Sequence, residues 1–497
     1  MEKQLTKQNL LFLLVCLGLA ILAELSFFHG EIGISYLVFV TAFYAVFFVH
    51  FRTVMFTHRR MGMLLVLVIW LLSISYFLYD HFFFYWLNIL LIPGLIFTHI
   101  VLITSAKRLE WFSLPFVQKL FEKLLYAASY NNRFISSCFR YLFKNIDEKT
   151  ATMIKRVGLG LLIGVPLLGI VTSLLMSADS VFESLVGRIP NIILELDFQE
   201  QLLRSLIVIF YLFVFFGVFQ VLTTNSHTVK QKQLEAGRGE FPLVKHDVYK
   251  LDGVVVATIL ILLNSVYLLF TVIQFSYFFG TALQEGLTYA EYARKGFFEL
   301  VLVTLINWTV LIACLTTVRE IGPRTNMLLK VLYSSLVVVS GVMLASAFQR
   351  LSLYEAAYGF TFDRILAHAF MIYLLIIFAY TLMRVWMEHL ALRHFYFVTA
   401  LLFYTALNIV PLDKIIVEYN MERYVQSGKI DVDYLNRLSY TGVDGLIDLY
   451  EKNPDYPELR SILSRRIKWA NDQETNWQSY NISKAHVVGR LKDLELE

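Results

Sequence analysis

Charge is scarce in this sequence. Lys, Arg, Asp and Glu make up 16% of its 497 residues, where soluble domains carry about 25%. So little charge cannot cover the surface of a soluble chain of this length. Cysteine is scarcer still. Cys16, Cys138 and Cys314 are the only three, and their spacing fits neither a CxxC motif nor a zinc site, so no disulfide framework is expected. There is no P-loop, no GxSxG, no HExxH and no kinase signature. The histidines are scattered, and none joins Asp, Glu or Cys at metal-ligand spacing. Neither a metal nor a cofactor is expected. The net charge of +4 is too small to point to nucleic acid as a partner.

What the sequence has in abundance is apolar surface. Hydrophobic residues make up 57%, with 42 phenylalanines, and the mean hydropathy is +0.61. Lipid must be the solvent for much of this surface, so the bilayer itself is the expected partner. Eleven apolar stretches approach the roughly 20 helical residues that cross a bilayer core. They lie near 9–29, 32–51, 61–79, 82–104, 156–176, 204–223, 251–273, 296–318, 328–347, 366–387 and 394–411. The runs do not alternate in polarity as barrel strands do, and helices satisfy their own backbone in lipid. The first run follows Lys3 and Lys7 like a signal peptide, but it passes through Ala23, Glu24, Leu25 and Ser26 without a small-residue cleavage site. An uncleaved first helix is expected.

With the N-terminus in the cytoplasm, the short cytoplasmic segments hold 25 Lys and Arg and the opposite loops six. That bias sets the orientation and places the C-terminal tail outside. The expected fold class is all-α: a polytopic transmembrane bundle of about eleven helices with a small helical extracytoplasmic C-terminal domain. Four parts follow. Residues 1–105 form a four-helix transmembrane segment, 106–155 hold cytoplasmic amphipathic helices, 156–411 form a seven-helix transmembrane segment, and 412–497 form the tail domain.

Within 106–155, Phe116, Val117, Leu120, Phe121, Leu124 and Leu125 recur at helical spacing, as do Phe134, Ile135, Cys138, Phe139, Leu142 and Phe143. Two amphipathic helices are expected, either lying on the anionic cytoplasmic leaflet or packed under the bundle. The stretch 223–250 is polar, holds Gly237, Gly239 and Pro242, and reads as a linker. No internal repeat relates the two halves. In the tail, Asp431 and Thr441 are candidate helix caps, Asn453-Pro454 marks a break, and Leu459, Ile462, Leu463 and Ile467 form one helix face.

Polar residues gather in three expected external loops. The first holds Asp179 after the fifth helix. The second runs from Tyr289 to Leu300 with Glu291, Tyr292, Arg294 and Glu299. The third runs from Arg350 to Thr361 with Tyr354, Glu355 and Tyr358 and enters the tenth helix. Helix spacing aligns Glu291, Lys295 and Glu299, and likewise Arg350, Tyr354 and Tyr358. One reading is an external polar pocket capped by the tail. The other is an ion-paired helix entrance within an interfacial aromatic belt. Glu24 and Glu299 sit just inside apolar runs, where an ionisable group needs a partner or water. Asn264, Asn307 and Asn408 are candidates for hydrogen bonds between helices. His99 and His368 read as packing residues, and Pro93 as a kink in the fourth helix.

Several of these segments resemble a known family. They are Tyr289-Ala290-Glu291-Tyr292-Ala293-Arg294-Lys295-Gly296-Phe297-Phe298-Glu299-Leu300; Leu353-Tyr354-Glu355-Ala356-Ala357-Tyr358-Gly359; Asn420-Met421-Glu422-Arg423-Tyr424; Gly428 through Leu435; and Trp477-Gln478-Ser479-Tyr480-Asn481-Ile482-Ser483. Together they look like the bacterial multi-pass membrane proteins grouped as domains of unknown function 4153 and 4173. The likeness runs from about Gly158 to the C-terminus, with Phe360 where relatives tend to have Leu. It implies a bacterial cytoplasmic-membrane location and supplies no activity.

Three classes of function stay open. One is a non-enzymatic envelope sensor, regulator or assembly partner that binds a protein or lipid component through the external pocket. A second is a transporter of a small solute, which would want polar groups at mid-membrane. The third is an enzyme on a lipid-linked substrate, with Asp179, Glu291 or Glu299 as acid or base and Arg294 or Arg350 on a phosphate. The absence of a catalytic signature favours the first.

Overall fold

The computed structural model describes residues 7–105, 111–142, 198–235, 251–279, 297–318, 322–473 and 476–496, with scattered positions between 150 and 175. The first helices are α1 (Lys7–Phe27), α2 (Ile34–His50), α3 (Arg59–Leu78), α4 (Phe82–Ile103), α5 (Leu114–Leu142) and α6 (Phe198–Glu235). Then come α7 (Gly253–Phe279), α8 (Phe297–Thr317), α9 (Pro323–Tyr358), α10 (Phe362–Trp386) and α11 (Leu392–Ile409). The tail holds α12 (Leu412–Ser427), α13 (Val432–Leu438), α14 (Tyr440–Lys452), α15 (Leu459–Asn471), a 3-10 turn (Trp477–Ser479) and α16 (Ile482–Asp493). No strand forms among the described residues.

The protein is an all-α polytopic bundle. Among the described residues eight helices are long and apolar enough to cross a bilayer, and a ninth span is made if α11 and α12, bent by 57°, count as one. The expected eleven differs for identifiable reasons. Helix α2 has 17 residues, short of the roughly 20 a bilayer core asks for. The stretch 156–176 lies largely outside the described residues.

Other boundaries shift where helix breakers are missing. The two amphipathic helices expected in 106–155 are one 29-residue helix, α5, since no Gly or Pro interrupts Ala127–Arg133. The expected linker after Thr223 starts as helix, because α6 runs to Glu235, and the first glycine is Gly237. Thr441 is not a cap; it lies inside α14, whose N-cap is Ser439. Asp431 does cap α13, its Oδ1 accepting from the Tyr434 N–H at 2.8 Å.

The chain divides into two compact units. One comprises Met1–Phe77, Ile89–Gly239 and Thr475–Asn481. Its centre is aromatic: Phe47, Phe51, Phe216 and Phe219 are fully buried, and Phe12 stacks on His50 with ring centroids 3.8 Å apart. Buried Glu24 lies 3.6 Å from His29 and 3.9 Å from Arg204, the kind of partner an acid inside an apolar helix needs. Residues 478–480 cap the start of α2. The Gly33 N–H donates to the Gln478 carbonyl at 2.9 Å and the Ile34 N–H to the Tyr480 carbonyl at 3.0 Å, satisfying amides that a helix start leaves open.

Within the same unit α5 packs on α6. Phe116, Lys123, Ala127 and Phe134 form its buried stripe. Phe134 meets Phe216 at 4.7 Å, and Asn131 donates to the Phe213 carbonyl at 2.7 Å. Val117, Phe121, Leu124 and Leu125 form a second, exposed apolar stripe. Burial pushes the Lys123 ammonium down to about 8, aided by Lys119 and opposed by Glu122. Below pH 8 folded and unfolded chains both carry this proton, and the folded chain bears the full cost of burying it. Between pH 8 and 10.5 only the unfolded chain still holds the proton, so the cost fades as pH rises. Lys123→Met is therefore expected to melt higher than the parent at pH 7, with the gap closing by pH 10.5. Melting curves in detergent at several pH values check this, and a gap that stays constant would refute it.

The second unit comprises Leu78–Asn88, Glu240–Glu474 and Ile482–Glu497. Helix α9 packs on α7, α8 and α10, around Leu260, Leu311, Leu336, Ala347, Leu374 and Phe378. Polar groups inside this apolar packing are bonded between helices. Asn307 donates to Ser340 at 2.9 Å and Asn264 to the Leu332 carbonyl at 3.2 Å. Asn88 donates to Asn408 at 2.7 Å and accepts from Tyr404 at 2.6 Å. Such bonds contribute about 0.6 kcal/mol each. The tail has its own core of Leu435, Val443, Leu446, Ile447, Leu459, Ile462, Leu463 and Leu491. Helices α13 and α14 close on each other at Gly442, where a Cβ would run into the Leu435 carbonyl.

Candidate functional site

Between Pro323 and Gly359 only Gly341 could weaken α9, so the helix continues to Tyr358. Arg350, Tyr354, Glu355 and Tyr358 thus form the last turns of α9. They are not the loop leading into α10 that their polarity suggests. Gly359 ends the helix with φ +84°, and a Cβ there would collide with the Asn420 side chain. Phe360 and Thr361 then cross to α10.

The tail holds this crossover by bonding its backbone. Asn420 donates to the Phe360 carbonyl at 2.9 Å and accepts from the Phe360 N–H at 3.1 Å. Arg423 donates to the Ala357 carbonyl at 2.7 Å. The Phe362 N–H donates to the Tyr434 hydroxyl at 2.8 Å. Phe360 stacks on Tyr419 with centroids 3.7 Å apart. Burial pushes the Tyr434 phenol up to about 12, reinforced by Asp413 and Asp363 and opposed by the Phe362 bond and Arg364. Two segments about sixty residues apart, Leu353–Gly359 and Asn420–Tyr424, therefore meet in one clasp.

Beside the clasp lies a largely buried carboxylate–imidazole pair. His368 Nε2 is 2.8 Å from Glu355 Oε2. Glu355 Oε1 and His368 Nδ1 have no hydrogen-bond partner among the described residues. His368, which reads as a packing residue in sequence, has this partner because the extended α9 turns Glu355 inward. Next to the pair, the Arg364 guanidinium sits 4.4 Å over the Tyr354 ring, hydrogen-bonds the Gly359 carbonyl, and Tyr354 leans on Tyr358 at 4.8 Å. A cleft of about 490 Å³ opens there, lined by Phe297, Phe298, Tyr354, Thr361, Asp363 and Arg364.

The sequence-derived candidates are placed as follows. Tyr354, Glu355 and Tyr358 come together, joined by Arg364 and His368. Arg350 is one turn back on α9. Glu299 is exposed in the first turn of α8, while its neighbours Phe297 and Phe298 line the cleft. Asp179, Glu291, Tyr292 and Arg294 lie outside the described residues. Among the described residues no three His, Cys, Asp or Glu side chains are grouped to hold a metal ion.

A second polar place has no counterpart in the sequence reading. His81 Nδ1 is 3.1 Å from Asp413 Oδ2, both side chains about 95% buried at 5% and 6% exposure. The pair lines a cleft of about 280 Å³ with Tyr79, Lys414, Glu418, Thr441, Asp444, Asp448, Ser483 and His486. Its residues come from the short α3–α4 connection, Pro411 and three tail helices, α12, α14 and α16, so no local spacing could reveal it.

No curated protein and no solved structure matches the chain. The family described as Domain of unknown function (DUF4153) matches residues 66–449. That match begins within α3, further toward the N-terminus than the motifs suggest, and ends in α14, short of Trp477–Ser483. It covers α9 and its clasp with α12 and α13, and more than half of the sequence, so this chain belongs to the DUF4153 family.

Proposed function

We propose that this membrane protein is a non-enzymatic sensor, regulator or assembly partner of the bacterial envelope, with the tail on the outer face of the cytoplasmic membrane and the N-terminus in the cytoplasm. The observation that carries the reading is the clasp. Asn420, Arg423 and Tyr434 bond the backbone that joins α9 to α10, beside a cleft whose Tyr354 and Arg364 are half-buried. A ligand or partner group seated on Tyr354 and Arg364 would act directly on the crossover that the tail grips. A carboxylate would suit the guanidinium and an apolar or cationic face the ring. The positive-inside bias supports the orientation.

The test has two arms. In a chain whose three cysteines are replaced by serine, Val425→Cys at a position 83% exposed is expected to react with a membrane-impermeant maleimide on intact cells. Tyr354→Ala and Arg364→Ala are expected to reach the membrane at parental abundance yet fail to restore the phenotype of a deletion strain. Labelling only after lysis would overturn the orientation. Full complementation by both variants would overturn the cleft, and turnover of a lipid-linked substrate by the purified protein would overturn the non-enzymatic reading.

A further inference from the structure

The His81–Asp413 cleft is separate from the Tyr354 cleft, and its chemistry is different. Asp413 is an acceptor, so His81 donates from Nδ1. A ring whose one proton sits on Nδ1 presents Nε2 as an acceptor. That atom is buried and has no hydrogen-bond partner among the described residues, a state a buried polar group pays for unless something bonds to it. The cleft that His81 lines is acidic. Asp413, Glu418, Asp444 and Asp448 line it, with Lys414 as the one fixed cation in the lining. Lys414 is mostly exposed and 3.8 Å from Glu418, a weak pair.

Arg490 stands behind the cleft and is already committed. It reaches Asp444 and Asp448 at 2.7 Å each and Glu451 at 2.8 Å. Burial opposes its charge, but bonds to Asp448, Asp444 and Glu451 outweigh burial and hold the guanidinium above its ordinary range. Five carboxylates thus share two fixed cations, and the cleft keeps an excess of negative charge. An occupant that satisfies both features must be a cation and must donate hydrogen bonds. The space is small, and its lining includes Pro411, where the apolar α11 gives way to the polar α12.

We infer that this cleft binds a primary ammonium group. The ammonium donates to His81 Nε2 and lies against Asp413, and its alkyl chain runs past Val417 and Val487. A free alkylamine and the aminoethyl headgroup of a phospholipid both carry this chemistry.

The experiment uses the full chain in lipid nanodiscs. In phosphatidylglycerol discs, putrescine is titrated by calorimetry, with 1,4-butanediol and magnesium chloride as controls for shape and for charge alone. Saturable binding of putrescine, absent for the diol and not matched by magnesium, is expected. His81→Phe and Asp413→Asn should each weaken it at least tenfold. Asp448→Asn, at a half-exposed rim position where misfolding is not expected, should weaken it about threefold, and Glu422→Gln, exposed and outside the lining, should leave it unchanged. If the headgroup is the source, discs containing phosphatidylethanolamine will raise the melting temperature of the parent, will not raise that of Asp448→Asn as far, and will reduce putrescine binding. If the free amine is the source, the two disc types will behave alike. No saturable binding, equal binding of magnesium, or unchanged affinity in both His81→Phe and Asp448→Asn would overturn the inference. The Tyr354 and Arg364 variants are expected to bind putrescine normally, so failure here is distinguishable from failure of the proposed function.

Discussion

Asn420→Leu is expected to free the crossover between α9 and α10. The substitution removes both bonds to Phe360, and leaves its N–H and carbonyl without partners in a mostly buried place. A buried backbone group left unpaired costs about 1–3 kcal/mol, so the loss should be about 2–6 kcal/mol for the two groups together. Leu is close to Asn in length, so an empty cavity contributes little. Hydrogen exchange should rise at Phe360 and through the first turn of α10, and α12 should become sensitive to protease. Glu422→Ala, exposed on the same helix, should change stability by less than about 0.5 kcal/mol. If exchange and melting of Asn420→Leu match the parent, the Asn420 bonds do not hold the crossover.

The Glu355–His368 pair should show an asymmetry between single and double changes. Glu355→Ala leaves the His368 ring without its partner beside an emptied space, and a buried polar group left unsatisfied costs about 1–3 kcal/mol, more for a charged one. The combined Glu355→Leu and His368→Phe change replaces both polar groups with apolar ones of similar volume, and such replacements are often neutral or stabilising. The double variant is therefore expected to accumulate in the membrane and melt near the parent, while Glu355→Ala melts many degrees lower. It is also expected to fail in complementation. The unpartnered Glu355 Oε1 and His368 Nδ1 are surplus bonding capacity that a purely structural pair would not need. A double variant that restores the deletion phenotype would assign the pair to scaffolding alone.

Both predictions fall on residues that the sequence names only partly. Glu355 lies inside a legible motif, but its partner His368 sits alone on an apolar run, thirteen residues away. Whether a glutamate near a helix end faces solvent or core depends on where that helix stops. The polarity of Arg350–Tyr358 suggests a loop, and the absence of a breaker before Gly359 decides for helix. Asn420 and Arg423 stand in a segment that resembles the family, with no role attached to them there. Their role appears only when the tail packs against the crossover. His81 and Asp413 were not visible at all, because 332 residues separate them and neither stands in a recognisable pattern.

The sequence by itself determined the apolar surroundings and the helical class. Apolar runs near the thickness of a bilayer leave helices as the economical way to satisfy the backbone, and that argument is local. The tertiary structure alone decided which polar groups became partners. The bonds at Phe360, the Glu355–His368 pair and the His81–Asp413 cleft each join elements that no short-range periodicity links. Burial then made those pairings matter, because a polar group removed from water must find its partner in whatever the fold brings near.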